Sequence, residues 1–361
     1  CSSVQANSVT LNGEAVAGSF SANVFTFDPG DLPAGEHNLI FSNGLVDCSV
    51  PVVIATMIVS NKAEFIKIKT EYFTGSQSDP PEPYKNRDGY FILDADIDFG
   101  NEEFKMYGLG GDTLGRIDIH GWFGAIDGRG HIVSRMVFGM NGLTNVMGWD
   151  SVIKNIGFVD CSFSDAVQSG ILGEFAYGTL DNCFFQLNDL KGSGALAKTL
   201  YGVNFTNTVV YISDSVLNDS ITQNAIANAV GRSSVLNNVF AVTSLNVPFI
   251  SSIGLVSGNY AKYTSFSELR AAVGSLTSFK DEYWTKTDGT LIFSRYNVYL
   301  DNKFSSEMSE LVGSYFEDVE TVLSVADADY TVSSDTYIDA ELLENGILKP
   351  TGLAEGASAT I

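Results

Sequence analysis

Positive charge is scarce in this sequence. Lys and Arg together number 20 among 361 residues, against 43 Asp and Glu, and the formal net charge is −23. Such a chain repels nucleic acids and anionic membrane surfaces, so we expect no nucleic-acid partner. Charged residues make up only 17%, below the usual fraction of about a quarter. Ser, Thr, Asn and Gly must therefore cover much of the surface, which is typical of secreted β proteins.

Cysteine and long apolar runs are also scarce. The four cysteines are Cys1, Cys48, Cys161 and Cys183. They form no C-x-x-C pair, which argues against a zinc site. Cys1 and Cys48 lie in one module, where a disulfide and two free thiols are both open alternatives. No apolar run reaches the roughly 18 residues of a membrane span, so we predict no membrane insertion. The first residue is Cys and no signal peptide is recognisable, which indicates a processed or excised segment.

Short alternating strands separated by Gly and Pro turns fill residues 1–57. Asn12-Gly13 and Asp28-Pro29-Gly30 are the clearest turns, and residues 50–59 read as a last apolar strand. This spacing predicts a small β-sandwich.

Two capping boxes predict the helices of the chain. Asn61 followed by Glu64 predicts a helix through about Thr70. Ser265 followed by Glu268 predicts a second helix, ending at about Val273. Such an amphipathic element would cover the open end of a strand array.

A degenerate repeat occupies the middle of the chain. An apolar residue, then an Asn two places later, then a mostly apolar strand recurs at Asn155, Asn182, Asn207 and Asn238, which lie 27, 25 and 31 residues apart. These distances fit one coil of a parallel β-helix, in which stacked coils share a core. Asn tolerates left-handed backbone geometry at a corner, and its amide can bond the Asn of the next coil. We therefore predict an asparagine ladder.

The repeat also fixes which side chains point inward. Two columns are expected in the core: Ile156, Cys183, Thr208 and Val239, and Phe158, Phe185, Val210 and Ala241. Cys161 and Cys183 fall at different positions relative to their asparagines. Two buried thiols are therefore expected there in preference to a disulfide.

The last part of the chain changes character. Residues 283–293 read as a hairpin around Asp288-Gly289. Residues 301–361 hold 13 acidic residues and two lysines, and read as short strands and turns, including residues 330–332. We divide the chain into residues 1–57, an Ig-like β-sandwich module, residues 58–296, a parallel β-helix with N- and C-terminal caps, and residues 297–361, an acidic Ig-like module that the end of the chain cuts short.

Several segments resemble bacterial surface proteins. Residues 90–98 are similar to "Y-x-L-x-x-D-I-D", and residues 123–133 to "F-x-G-x-f-D-G-n-G-h-t-I", both typical of right-handed β-helices with GLUG-type repeats, although Arg129 replaces the usual Asn. Residues 32–41 and the end of the chain resemble bacterial Ig-like modules. The resemblance implies an all-β chain, a right-handed parallel β-helix (solenoid) with short capping helices, flanked by Ig-like sandwiches. It also implies a location on a bacterial cell surface or a phage virion.

Two clusters offer catalytic or metal-binding chemistry. Asp127, Gly128, Arg129, Gly130 and His131 combine an acid, a base and a cation, but the glycines and the Asp are also the ingredients of a tight turn. In a continuous strand Asp94, Asp96 and Asp98 would share one face. They are candidates for Ca²⁺ or for the carboxylates of a polysaccharide-cleaving enzyme, against the simpler interpretation of a solvated face. No loop has clean Ca²⁺ spacing.

The aromatic residues point to a different class of function. Trp122, Trp149 and Trp284, with 15 Tyr and 24 Phe, are numerous enough for stacking on sugars, although most should fill the core. The sequence therefore favours a non-enzymatic rod segment that spaces or presents a binding face for a glycan or host surface. Its expected partners are neighbouring modules of a longer chain, and further copies in a fibre are an open alternative. A carbohydrate lyase or hydrolase is the second hypothesis, and no cofactor is expected.

Overall fold

The computed structural model describes residues 8–21, 24–28, 34–43, 47–70, 89–104, 122–139, 142–144, 146–164, 169–213, 223–231, 233–273, 277–280, 283–285, 291–293, 321–322, 339–342 and 347–351. The chain divides into two compact units, residues 1–278 and residues 279–361. The first unit contains an antiparallel N-terminal sheet and a parallel β-solenoid of about four turns.

The strands of the N-terminal sheet and its hairpin are β1 (Ser8–Leu11), β2 (Glu14–Ala15), β3 (Gly18–Ser21), β4 (Val24–Phe27), β5 (Gly35–Ser42) and β6 (Asp47–Ile54). The solenoid strands are β7 (Met57–Val59), β8 (Tyr90–Leu93), β9 (Ile97–Asp98), β10 (Glu103–Phe104), β11 (Ala125–Asp127), β12 (Ile132–Ser134), β13 (Val137–Phe138), β14 (Val146–Met147), β15 (Val152–Phe163), β16 (Phe175–Ala176), β17 (Thr179–Leu187), β18 (Ala197–Tyr201), β19 (Asn204–Ile212), β20 (Ala227–Gly231), β21 (Ser234–Val242), β22 (Ile250–Ile253), β23 (Val256–Ser257) and β24 (Tyr260–Tyr263). Within its described residues, the helices of this unit are α1 (Lys62–Thr70) and α2 (Phe266–Val273).

The N-terminal sheet follows the alternating pattern of its sequence. Its strands pair antiparallel in the order β2-β1-β5-β6, and β3 pairs with β4 as a separate hairpin. Asn12 and Gly13 join β1 to β2 with φ of 51° and 90°, the positive values that a type I′ turn requires. Val9 and Leu11 point inward and pack with Leu39 of β5. Local turn chemistry and a period of two thus build this sheet.

The apolar segment at residues 50–59, predicted as one strand, is divided between two sheets. Its first part belongs to β6, which ends at Ile54, whereas β7 pairs in parallel with β8 through Met57 and Phe91. The apolar sequence continues through the break, so hydrophobicity alone could not show it. The solenoid therefore begins directly after the N-terminal sheet.

The solenoid stacks parallel strands in chain order. Its main sheet has the order β7-β8-β11-β15-β17-β19-β21-β23, and β24 also pairs with β21. A second parallel sheet, β14-β16-β18-β20-β22, is formed by the segments between those strands. From β14 onward each coil therefore contributes a strand to both sheets and encloses a core with its neighbours.

The strands of the main sheet pair in the register that the asparagine repeat predicts. Each residue of the two predicted columns pairs with its counterpart in the next coil, in the orders Ile156, Cys183, Thr208, Val239 and Phe158, Phe185, Val210, Ala241. All eight side chains are fully buried. Phe158 and Phe185 stack with their ring centroids 5.5 Å apart and their planes within 3°. Burial of one such ring contributes roughly 1.5–3 kcal/mol.

Both helices begin at their predicted capping boxes. In α1, the N–H of Glu64 donates to Asn61 Oδ1 at 3.0 Å. In α2, the N–H of Glu268 donates to Ser265 Oγ at 3.2 Å, and Glu268 Oε2 accepts from the N–H of Thr264 at 2.7 Å. The Thr264 hydrogen bonds lower the pKa of the Glu268 carboxyl. Each box satisfies backbone donors that the first helical turn leaves unpaired.

The second unit contains two antiparallel elements within its described residues. Strands β25 (Trp284–Thr285) and β26 (Ile292–Phe293) form a hairpin, in which the rings of Trp284 and Phe293 lie 5.1 Å apart. Strands β27 (Thr321–Val322), β28 (Asp339–Leu342) and β29 (Ile347–Thr351) form a sheet in the order β27-β29-β28. The predicted turn Asp288-Gly289, the predicted strand at residues 330–332 and the predicted boundary at 296/297 lie outside the described residues.

Candidate functional sites

A column of asparagines runs along one corner of the solenoid. Asn155, Asn182, Asn207 and Asn238 have φ between 46° and 58°, in the left-handed region that Asn tolerates. Asn182 Nδ2 donates to Asn155 Oδ1 at 2.9 Å, and Asn238 Nδ2 donates to Asn207 Oδ1 at 3.2 Å. The amides thus tie coils together at a corner where the chain turns.

The column is longer than the sequence repeat indicates. Asn155 Nδ2 donates to Asp127 Oδ1 at 3.0 Å, so a carboxylate takes the corresponding place one coil earlier. At the other end, Asn259 Nδ2 donates to Asn238 Oδ1 at 3.2 Å. Sequence reasoning missed both members because Asp127 is not an amide and Asn259 follows a shortened coil, only 21 residues after Asn238.

The segment Asp127-Gly128-Arg129-Gly130-His131 is a tight turn at this corner. The N–H of Arg129 donates to Asp127 Oδ1 at 3.0 Å, and φ is 50° at Arg129 and 90° at Gly130. A Cβ at Gly128 would lie 2.5 Å from the carbonyl oxygen of Asn155, so glycine is needed for the close approach of the next coil. The acid, cation and base of the motif, Asp127, Arg129 and His131, are therefore members of this turn.

The three aspartates do not line one continuous strand. A continuous strand through them is not formed, because β8 ends at Leu93 and β9 begins at Ile97. Asp94 and Asp96 lie in the connection, whereas Asp98 lies in β9. All three side chains are exposed, as expected if they form a solvated face.

Asp96 and Asp98 are held by different partners. Asp96 Oδ1 accepts from the N–H of Ile132 at 2.9 Å and lies 3.1 Å from His131 Nδ1. Asp98 pairs with Arg135, whose guanidinium lowers the pKa of this carboxyl. Within the described part of the chain, no group of three or more His, Cys, Asp or Glu is placed to hold a metal ion.

A partly buried ionic cluster joins the N-terminal sheet to the solenoid. Lys154 Nζ contacts Glu36 Oε1 and lies 3.6 Å from Asp127 Oδ2. Tyr90 donates its hydroxyl to Glu36 Oε1 at 2.9 Å, and Lys154 Nζ lies 5.8 Å from the centroid of the Tyr90 ring. No local sequence pattern indicates this cluster, because Glu36 and Lys154 are 118 residues apart.

The cluster fixes the protonation states of its members. Burial opposes the charge on Lys154, but its hydrogen bonds to Glu36 and Tyr90 and the charge of Asp127 raise the pKa of Lys154 overall. Burial raises the pKa of Tyr90 to about 12. The Lys154 hydrogen bond lowers the pKa of Glu36. At neutral pH Lys154 is charged and Tyr90 is neutral, so neither is suited to act as a general base.

Replacing Lys154 by Met should lower the free energy of unfolding by about 1 kcal/mol near neutral pH. The value is modest because the Glu36 side chain is 58% exposed. Since the folded-state pKa of Glu36 is lowered, its contribution is present above about pH 4.3 and is lost as the pH falls through the folded-state value. Since that of Lys154 is raised, its contribution is present below about pH 10.4 and is lost above the folded-state value.

The measurement is chemical denaturation of the full chain between about pH 3 and pH 9. This range runs from below the ordinary pKa of Glu to above neutral pH. Lys198→Met is the matched control, because Lys198 pairs with Glu174 at 2.6 Å with both side chains more than a third exposed. We expect that control to change stability by about 0.5 kcal/mol or less. Equal losses of unfolding free energy in the two variants would contradict a stabilising role of the ionic cluster.

A second surface feature is a row of aromatic side chains. Trp122 and Trp284 are buried, as expected for core residues, but Trp149 is 42% exposed. The ring centroid of Trp149 lies 4.3 Å from that of Tyr177, which in turn lies 5.8 Å from that of Tyr201. We call these three residues the aromatic ridge. A sequence signal existed, since each lies five or six positions before an Asn of the repeat.

The cysteines play a structural role. Cys161 and Cys183 are free and buried, in agreement with the prediction of two separate thiols. Burial raises the pKa of the Cys161 thiol to about 12 and also raises that of Cys183, which makes both poor nucleophiles. Cys48 is disulfide-bonded, while Cys1 lies outside the described residues.

Two further observations concern the whole chain. Among the described residues, no helix has the length and apolar character needed to cross a membrane. Comparison of the chain with protein-family models, curated proteins and solved structures found no match.

Proposed function

We propose that this chain is a non-enzymatic structural and adhesive segment of an extracellular surface protein or virion fibre. Its solenoid spaces or presents a binding face for a glycan or a host surface. The observation that carries this proposal is that the carboxylates most suggestive of catalysis are bonded to backbone donors. Asp127 accepts from the N–H of Arg129, and Asp96 accepts from the N–H of Ile132. These bonds give both acids a role in building the turns.

More specifically, we propose that the solenoid is a right-handed β-helix of the GLUG-like type and that Ig-like modules flank it. The antiparallel pairing of β1 to β6 and of β27 to β29 supports β modules on both sides of the solenoid in sequence. Neighbouring modules of a longer chain are the proposed partners, with further copies in a fibre as an alternative. The proposed location is a bacterial cell surface or a phage particle. We propose no cofactor for this role, and Ca²⁺ at Asp94, Asp96 and Asp98 is the weaker alternative.

A polysaccharide lyase or hydrolase is the alternative function. The cluster of Lys154, Tyr90 and Asp127 favours it, because such enzymes need an acid and a base side by side. The raised pKa values of Lys154 and Tyr90 weigh against it, since neither residue loses its proton near neutral pH. Asp127 is also engaged by Asn155 and by its own turn.

Incubating the full chain with acidic and neutral polysaccharides should release no new reducing ends and no unsaturated products. Antibodies raised against the chain should label the surface of intact source cells or particles. An Asp127→Asn variant is the control for any trace of turnover. Cleavage by the wild-type chain that is lost in this variant would overturn the non-enzymatic proposal. Labelling only after cell lysis would overturn the surface location.

A further inference from the structure

The aromatic ridge follows one column of the solenoid. In the second sheet Met147 pairs with Ala176, and Ala176 pairs with Leu200. Tyr177 and Tyr201 each come directly after a member of this row, so they occupy the same place in consecutive coils. Neighbouring strands lie about 4.8 Å apart, close to the 5.8 Å between the rings of Tyr177 and Tyr201. Trp149 lies one residue beyond the position that matches Tyr177, and its ring joins the row by its contact with Tyr177 at 4.3 Å.

Glycine follows the ridge in the next coils. Tyr201 pairs with Gly231, and Gly254 follows Ile253, the residue that pairs with Val230. A Cβ placed on Gly231 would lie 3.4 Å from Cε2 of Tyr201. Gly231 and Gly254 therefore continue this column beyond Tyr201 with backbone alone. A ring-shaped ligand could lie against Tyr201 with the Gly231 backbone beside it.

Polar side chains lie on the same coils as the ridge. Lys198 and Glu174 form an exposed ion pair, with Nζ and Oε1 2.6 Å apart. They precede Tyr201 and Tyr177 by three residues each. The pair offers both donors and acceptors to hydroxyl groups, and its two charges cancel. Hydrogen bonding beside an apolar surface is the combination by which small-molecule sites orient a ligand.

The dimensions and charge of the ridge select the class of ligand. One row of three side chains falls far below the roughly 1,200 Å² of a stable protein interface. A pyranose ring instead presents a flat face of C–H groups that can stack on one aromatic ring, with hydroxyl groups at its rim. The net charge of −23 disfavours an anionic chain. We infer that the aromatic ridge binds a neutral polysaccharide along the solenoid, an inference that rests on the proposed adhesive function.

Affinity electrophoresis of the full chain tests this site. The gels contain a neutral polysaccharide (hydroxyethylcellulose, galactomannan or laminarin) or, for comparison, the anionic alginate. We expect at least one neutral polymer to retard the wild-type chain and alginate to leave it unretarded. Trp149→Ala and Tyr201→Ala should each weaken the retardation at least tenfold. Ile58→Ala is the control for loss of an exposed apolar side chain, since Ile58 is 55% exposed in β7, away from the ridge, and it should bind like the wild type.

A second variant adds a side chain without removing a ring. Gly231→Val places methyl groups beside Tyr201 and introduces a residue that strands favour, so it should retain the wild-type circular dichroism and lose binding. The inference is overturned if no neutral polymer retards the wild type or if alginate retards it equally. It is also overturned if Trp149→Ala, Tyr201→Ala or Gly231→Val is retarded like the wild type. Surface labelling of source cells does not depend on the ridge, so its outcome separates failure of this site from failure of the proposed function.

Discussion

Replacing Phe185 by Ala is expected to lower the free energy of unfolding of the solenoid by about 3–5 kcal/mol. The Phe185 side chain is fully buried, and its ring stacks on that of Phe158 at 5.5 Å. The coils cannot close around the resulting cavity, because Phe185 is paired to Phe158 below and to Val210 above. The lost burial and the unfilled volume therefore add.

Guanidinium denaturation of the full chain, followed by far-ultraviolet circular dichroism, measures this loss. Phe185→Leu retains much of the volume and should cost clearly less than Phe185→Ala. Val235→Ala is the surface control, because Val235 lies in β21 and is 36% exposed, and it should change stability by about 0.5 kcal/mol or less. A Phe185→Ala loss no larger than the Val235→Ala loss would show that the stacked column does not stabilise the solenoid.

Asn182→Ala is expected to cost about 2–4 kcal/mol, because two effects combine. Ala at the φ of 57° found here pays roughly 1–2 kcal/mol of backbone strain. Loss of the Asn182 amide leaves the partly buried Asn155 Oδ1 without this donor, at about 1–2 kcal/mol. A single polar side chain is thus expected to matter nearly as much as a core aromatic ring.

Comparison with Asn182→Gly separates the two effects. Gly loses the same amide hydrogen bond but adopts positive φ without steric strain. Its free energy of unfolding should therefore lie between those of the wild type and Asn182→Ala. Equal stabilities of the Gly and Ala variants would mean that backbone strain contributes nothing at this corner.

The sequence predicted the solenoid because its main repeat carries two independent signals. Corner residues need positive φ, which restricts them to a few residue types, while inward positions must be apolar. Asn182 and Phe185 show both signals at a fixed separation, and Asn155 and Phe158 repeat it. The capping boxes at Asn61 and Ser265 are local in the same sense, since donor and acceptor lie three residues apart.

Other parts of the fold had no readable signal. The second sheet contains strands as short as Val146–Met147 and Phe175–Ala176, and two residues cannot display a period. The break after Ile54 was hidden because apolar residues continue across it. The alternation of acidic and apolar residues predicts a strand through Asp94 and Asp96, although the strand is interrupted there in the structure.

The surface features depended on contacts between distant segments. Lys154 meets Glu36 only because the N-terminal sheet lies beside the first coils, and neither residue stands out locally. The aromatic ridge could have been found by aligning the coils on Asn155 and Asn182 and then comparing the preceding positions. Trp149 was singled out only as one tryptophan among three, since unequal insertions disguise the column.

The hydrogen bonds of the asparagine column share one direction along the coils. Every amide linked here donates toward the N-terminal coil, from Asn259 to Asn238 and from Asn182 to Asn155. The aligned amides form a dipole whose positive end meets the carboxylate of Asp127, as an anion meets the start of a helix. A further coil with an Asn at this corner could continue the series only beyond Asn259. The column of side chains is therefore polar, with the Asp127 carboxylate at its N-terminal end and the Asn259 amide at its C-terminal end.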